Sequence, residues 1–413
     1  MTHKKYKKKV GLLIPLVCGL LAVTGCEKKD DTELFPVLPG HTLATTELTT
    51  LATTEMTVSM SIEEVTTEQT TEDKIVEPIK YDVTMNFVGD LLLATNEGQS
   101  YENCFRTVAE SVEPTYFLEN FSDMFLNDSI TIGDCENVFT DNDSLPISDK
   151  GQEQAKLEYE AAVAAAEAAG EPKPENTFRA FWFRSKAVHA NILSAGGVDV
   201  VSIDNNHIND YGPQGKEDTK AALDAAGVLW GAKGKVVYKQ VQNFNVALVF
   251  GSMYNEGAVS SLLADLEEAK LNSDYQVVYF HGGTEKIHEP ESWKQSACHT
   301  LADNGADLVI GDHPHVLQPL EQYNGVNIIY SLGNFVFGGN KHPENRTIVF
   351  SQTLSIEENP ETGDKIVVNT SYEMIPCYVY VGEMNNWQPA IIEDEAAASK
   401  VLDFMNGLVD SPL

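Results

Sequence analysis

Six places in this sequence put an Asp, Glu, Asn or His directly after a short run of β-branched and aromatic residues. Val83 to Val88 leads into Gly89-Asp90, and Ile130 to Ile132 into Gly133-Asp134-Cys135-Glu136. Val198 to Ile203 leads into Asp204-Asn205-Asn206-His207, and Gln276 to Phe280 into His281-Gly282-Gly283-Thr284-Glu285. Leu308 to Ile310 is followed by Gly311-Asp312-His313-Pro314-His315, and Asn327 to Tyr330 by Ser331-Leu332-Gly333-Asn334. Carboxylate, amide and imidazole donors with no need of a thiolate suit a borderline divalent cation such as manganese, iron or zinc.

Taken singly the pieces are weak. Asp90, Asn205-Asn206 and Asn334 read equally well as turn or cap residues, so the conjunction carries the weight. Glu136 is different, because a carboxylate at a strand end is costly to bury without a cation or donor beside it. In His313-Pro314-His315 the proline disfavours the α region for His313. The expectation is an extended unit that turns both imidazoles to one side, with Gly311 allowing a close turn. His189, His288, His299 and His342 lack such surroundings and are expected to be structural or surface groups, and Cys135 a small apolar filler.

The elements that must position these residues follow from the same pattern. Each apolar run is succeeded by a Gly-containing polar cluster and a helical stretch, the βα rhythm of a layered α/β fold. Ligands in such folds gather outside the carboxyl ends of the strands. Ile348 to Leu354 and Lys365 to Tyr380 read as strands around the Asn359-Pro360-Glu361-Thr362-Gly363 turn. They are expected to complete a second sheet, giving two packed sheets covered by helices. An Ala- and Glu-rich stretch from Gln152 to Ala169, closed by Gly170, Pro172 and Pro174, has helical composition and marks an insertion over residues 150–177. The domain is expected over residues 81–385, with 386–413 as a C-terminal tail or helix.

The ends say where the domain would work. Lys4, Lys5, Lys7, Lys8 and Lys9 precede an apolar run from Val10 to Val23, too short for a permanent span. That run ends in Val23-Thr24-Gly25-Cys26, so residues 1–25 read as a lipoprotein signal and Cys26 as the lipidated N-terminus, on the outer face of a bacterial cell membrane. Residues 26–80 are rich in Thr and Glu and poor in aromatics, which reads as a disordered stalk. The formal net charge is −34, and losing the five leading lysines would leave −39. Nucleic acid is excluded as a partner on that balance. Cys104, Cys135, Cys298 and Cys377 show no paired short spacing, which leaves one or two disulfides open.

The stretches NFVGDLLLA, ITIGDCENVFTD, DVVSIDNNHINDYG, YFHGGTE, GADLVIGDHPHVLQPLE and IIYSLGNFVFG, running in that order from Asp82 to Gly338, resemble the CapA-type capsule or poly-γ-glutamate synthesis proteins. The domain of that family is similar to the calcineurin-like metallophosphatases. The resemblance implies a four-layer sandwich of two mixed sheets flanked by helices, and two divalent metal ions. Carried onto this sequence, Asp90 and His315 would hold one ion, Asn206, His281 and His313 the other, and Glu136 would bridge them. His207 would be the general acid or a hydrogen-bond donor to the transition state, oriented by Asp210, while Glu285 would support His281 and Asn334 would lie beside the ligands. Leu92 stands where the phosphatases carry a histidine, so the first ion would be held by fewer groups. Gly282 stands where the family often has an aromatic.

The expected activity is metal-dependent hydrolysis or transfer on an anionic extracellular polymer or its precursor, with Arg184 and Lys186 as candidate cations near the crevice. The competing readings are a non-catalytic component of a membrane polymer-synthesis complex, partnered with polymer-synthase membrane proteins, and a solute-binding lipoprotein.

Overall fold

The structure, a computed structural model, describes residues 77–148, 163, 181–339 and 345–413. The leader, Cys26, the stalk up to residue 76, the Gln152 to Ala169 stretch apart from Val163, and His342 lie outside the described residues.

Among the described residues, three sheets are formed. The largest runs β17 (Ala390–Ile391), β16 (Lys365–Tyr378), β15 (Thr347–Glu358), β1 (Ile79–Leu91), β3 (Ile130–Cys135), β6 (Val200–Ser202), β7 (Leu229–Gly231), with β14 (Asn334–Val336) also paired to β1. β1, β3, β6 and β7 are mutually parallel, and β15, β16 and β17 continue the sheet antiparallel. The second sheet runs β12 (Leu317–Tyr323), β13 (Val326–Leu332), β11 (Leu308–Asp312), β10 (Tyr275–His281), β9 (Phe244–Ser252), β8 (Val237–Val241). Its four inner strands are parallel and its two edges antiparallel. A small third sheet joins β2 (Thr95–Asn96), β5 (Phe183–Ser185) and β4 (Val138–Phe139).

Where apolar side chains collect shows how these layers stack. Val83, Met85, Phe87 and Ile132 from the first sheet share one cluster with Val246, Leu248, Phe250, Val277 and Tyr279 from the second. That cluster is the filling between two sheets packed face to face. The opposite side chains of the first sheet, among them Val88, Leu91 and Val201, cluster with Leu193, Leu223 and Phe125 from helices. On the outer face of the second sheet, Val249, Val278 and Val309 meet Leu262 and Leu266 of the helix Val259–Asn272 and Leu301 of the helix Ser292–Asp303. The result is helices, sheet, sheet, helices: the four layers expected. Inner strands covered on both faces read as unbroken apolar runs, which is why Val246 to Phe250 and Val277 to Phe280 show no alternation. Each fully buried side chain of this size contributes about 1.5–3 kcal/mol.

One detail departs from the sequence reading. β15 and β16 do not build the second sheet; β15 pairs antiparallel with β1 from Ile79↔Glu358 to Phe87↔Phe350. This register turns Ile348, Phe350, Leu354 and Ile356 into the filling between sheets, so the hairpin widens the first sheet. Near the chain end a helix forms. Asp394 caps the helix Glu395–Met405 by accepting from the Ala397 amide at 2.8 Å, and Val401, Phe404 and Met405 enter the same filling. Cys104, Cys135, Cys298 and Cys377 are buried free thiols, so neither disulfide left open by the sequence is formed among them. No helix among the described residues is long and apolar enough to cross a membrane.

Candidate metal centre

Strand register assembles the site. Asp90 is the cross-strand partner of both Asp134 and Asn334, and Asp134 in turn of Ser202, so four polar residues line up across the first sheet. In the second sheet His281 sits opposite Asp312 on one side and Ser252 on the other. The strands run further than their apolar runs: β1 continues through Gly89-Asp90, β3 through Gly133-Asp134 and β11 through Gly311-Asp312. Their carboxylates are consequently enclosed, with Asp90, Asp134, Glu136, Asp312 and His281 all 0 % exposed. Glycine makes the close approach possible, since a Cβ on Gly89 would lie 1.7 Å from the Gly333 carbonyl oxygen.

Two clusters of donors result, each with its ligand atoms within 4.8 Å of one another: Asp90, Asp134, His281 and Asp312, and Glu136, His313 and His315. His281 Nδ1 lies 2.9 Å from Asp312 Oδ1, 3.4 Å from Asp134 and 3.7 Å from Asp90. Burial, then the neighbouring imidazoles of His313, His315 and His207, hold His281 well below the usual imidazole range, so it is neutral and has one N–H to give. With that proton on Nδ1, facing the acids, Nε2 presents a lone pair to Asn206 Oδ1 at 2.8 Å and to Glu136 Oε1 at 3.6 Å. Acceptors gathered in this way share a cation well and share a proton poorly.

Glu136 makes the strongest case. Both of its oxygens are buried without a hydrogen-bond partner, as are Asp134 Oδ1 and His313 Nδ1. Burial, then the charges of Asp90 and Asp134, push the Glu136 carboxyl far above the ordinary carboxylate range. An ionised carboxylate left this way costs several kcal/mol. The donor set of oxygens and imidazoles fits manganese, iron or zinc.

His315 Nδ1 lies 2.9 Å from both Asp90 Oδ2 and Asn334 Oδ1. Burial pulls His315 downward, but the hydrogen bond and charge of Asp90 hold it above the usual imidazole value. The extended conformation expected of His313-Pro314-His315 is not found: His313 has φ +89° and His315 φ +56°. Both imidazoles still reach Glu136, by way of a strained turn. His207 Nδ1 lies 2.9 Å from Asp210 Oδ2, which also accepts from the Phe183 amide, leaving His207 Nε2 3.9 Å from Glu136 Oε1.

Of the residues expected from the sequence, Asp90, Glu136, Asn206, His207, Asp210, His281, His313, His315 and Asn334 come together here. Glu285 does not support His281 as expected; it is exposed, and Asp312 occupies the Nδ1 position. The clusters also divide the donors differently from the expected split, with His281 among the aspartates and His313 beside His315. Asp134, Asp312 and Asn205 were missed. Asn205 Nδ2 donates to Asp134 Oδ2 at 2.9 Å and to the Cys135 carbonyl at 2.8 Å, while its Oδ1 accepts from the His207 amide at 3.1 Å. Arg184 and Lys186 are engaged by Glu97 and Glu110 at 3.2 and 3.1 Å.

Gly282 has a steric reason: a Cβ there would lie 1.8 Å from the Met253 carbonyl oxygen. Gly282→Ala is therefore expected to destabilise the fold by about 3 kcal/mol and to weaken metal uptake. Urea denaturation and a manganese titration read the two effects.

Residues 153–339 match the family of the bacterial capsule synthesis protein PGA_cap. The resemblance to capsule synthesis proteins holds. The "PGA biosynthesis protein CapA" of Bacillus subtilis (strain 168) is 39% identical over 168 residues, which cover 35% of this chain and 44% of that CapA protein. The "Capsule biosynthesis protein CapA" of Bacillus anthracis is 34% identical over 170 residues, 35% of this chain and 41% of its own length. The chain thus spans less than half of either CapA relative. The PGA_cap stretch contains Asn206, His207, His281, His313 and His315; Asp90, Asp134 and Glu136 lie upstream of it. Among solved structures, the calcineurin-like phosphoesterase YfkN from Bacillus subtilis aligns with a TM-score of 0.41 at 11% identity, over 75% of this chain and 95% of that one.

Proposed function

We propose that this chain is a lipid-anchored extracellular protein of capsule or poly-γ-glutamate synthesis, whose crevice hydrolyses or transfers at a phosphoester or amide of the polymer or its precursor. The fully buried Glu136 carboxylate, without a hydrogen-bond partner, carries the reading, because a cation at that place would let it stay ionised despite its burial. Asp90, Glu136, Asn206, His281, His313 and His315, joined by Asp134 and Asp312, would hold two divalent ions. A divalent pair held there supplies Lewis acidity, activating a nucleophilic water near neutral pH and neutralising developing charge.

The protein's own part falls to His207. Asp210 fixes its Nδ1, so Nε2 is the nitrogen turned to the carboxylate of Glu136 and available to give a proton to a departing oxygen or nitrogen. Phe183 holds Asp210 by its amide and packs edge-on against the His207 ring at 4.7 Å. In manganese-loaded protein assayed on poly-γ-glutamate and a model phosphodiester, His207→Ala is expected to lower kcat by about 10²–10⁴ with metal content unchanged. Asp210→Asn should lower it less, through misorientation. Turnover indifferent to His207, or none at all, would defeat the catalytic reading.

Leu92 favours a second reading. It is 2 % exposed in a small apolar cluster with Ala94 and Phe183, where a histidine would have given another donor. A centre with fewer donors suits a non-catalytic component of the polymer-synthesis complex, and then His207→Ala would leave polymer output intact.

A further inference from the structure

Three aromatic rings stand against the imidazoles of the crevice. Phe183 meets His207 at 4.7 Å, Phe337 meets His315 at 4.8 Å, and Tyr254 meets His313 edge-on at 5.2 Å and His281 at 6.4 Å. Packing of this kind fixes the plane of an imidazole, which accounts for Phe183 and Phe337. Tyr254 has two features more. It is 42% exposed, where Phe183 is 9%. It also carries a hydroxyl whose contact to Asn206 Oδ1 is 3.5 Å, at the outer limit of a hydrogen bond, and that oxygen already faces His281 Nε2 at 2.8 Å.

Donors are scarce in this crevice. Its floor is four carboxylates. The buried Lys294 ammonium is spent on the Gly282 carbonyl at 3.0 Å and Gln318 Oε1 at 2.8 Å, and Arg184 is held by Glu97. Among the described residues, a substrate oxygen that gains negative charge here would meet His207 Nε2 and the Tyr254 hydroxyl as side-chain donors, beside the amide of the exposed Asn206.

We propose that Tyr254 is a substrate-contacting residue of this centre, its phenol O–H donating to a phosphoryl or carbonyl oxygen that enters beside Asn206. This rests on the reading of the crevice as a metal-dependent hydrolase. The contact is a hydrogen bond alone; the proton stays on the phenol and no bond to Tyr254 forms or breaks. Its value lies in being strongest when the oxygen is most charged.

Tyr254→Phe keeps the ring against His313 and removes only the hydroxyl. In manganese-loaded protein, metal content should be unchanged and inorganic phosphate should bind about tenfold more weakly by calorimetry. Turnover of a model phosphodiester should lose about ten- to a hundredfold in kcat with a smaller change in KM. Phosphate affinity within twofold of the parent, absence of phosphate binding by the parent, or loss of metal from the variant would each overturn the proposal. Should the parent turn nothing over while its phosphate affinity still depends on Tyr254, the hydrolase reading falls and the contact stands.

Discussion

Chelating divalent cations is expected to lower the melting temperature of the purified protein, and to lower it more at pH 8 than at pH 5. In the metal-free fold, burial, then mutual repulsion, pushes the carboxyls of Asp134, Asp312 and Glu136 well above their ordinary values of 3.8, 3.8 and 4.5. Groups raised in the folded state leave stability intact below the ordinary values and remove it as pH rises through the raised ones. His281 and His313 act with the opposite sign, because burial holds both well below 6.5, so their share is present above 6.5 and lost as pH falls. The two sets oppose each other between the carboxylate and imidazole ranges. Above 6.5 the carboxylates are joined by His315, which Asp90 holds above the usual imidazole value, and both act in the same direction, so metal-free stability should decline with rising pH. A cation replaces the protons these acids would otherwise need, and at a thousandfold excess over its dissociation constant adds about 4 kcal/mol. In a domain of this size that is roughly 10 °C. Thermal scans with EDTA or manganese across pH 5 to 8 test this; a melting temperature indifferent to metal at every pH would mean that the acids share no cation.

Glu136→Gln is expected to stabilise the metal-free protein while abolishing its chemistry. The amide has the same shape and removes a buried charge with no partner, trading a penalty of several kcal/mol for the smaller one of an unsatisfied neutral group. A gain of about 1–3 kcal/mol in EDTA is the expected size, together with a fall in metal affinity of a hundredfold or more. Gains of stability at the expense of function mark residues kept for chemistry. A metal-free Glu136→Gln protein less stable than its parent would instead show that the carboxylate has a structural partner.

The sequence displayed the strand-end donors because each follows a compact apolar run, and six such endings in order leave little room for coincidence. It concealed Asp134 and Asp312 for a physical reason: Gly-Asp after such a run reads as a turn, whereas here the strands continue through it and bury the aspartates. The signal was available in the recurrence of Gly-Asp directly after an apolar run at 89–90, 133–134 and 311–312. Asn205 reads as a cap residue, and only the chain fold shows its amide holding Asp134. The turn at His313-Pro314-His315 escaped because local propensity favours extension at His313, while tertiary packing imposes positive φ at both histidines. Sheet membership of β15 and β16 was hidden for the opposite reason. Both strands were legible, but pairing partners are set by long-range register, which a strand's own residues do not encode.

The donors come from both sheets: Asp90, Asp134 and Glu136 lie at the strand ends of one, and His281, Asp312, His313 and His315 at those of the other. Tyr279 spans the gap, its hydroxyl lying 2.7 Å from the Val88 carbonyl and 2.8 Å from Asp312 Oδ2. A bound cation would therefore act as a clasp between two slabs, and the slip of one slab over the other would set how well the clasp closes. Apolar residues such as Phe87 and Phe250, far down in the filling, then become spacers for the chemistry, and trimming one would be felt as a poorer fit around the ions before it was felt as unfolding.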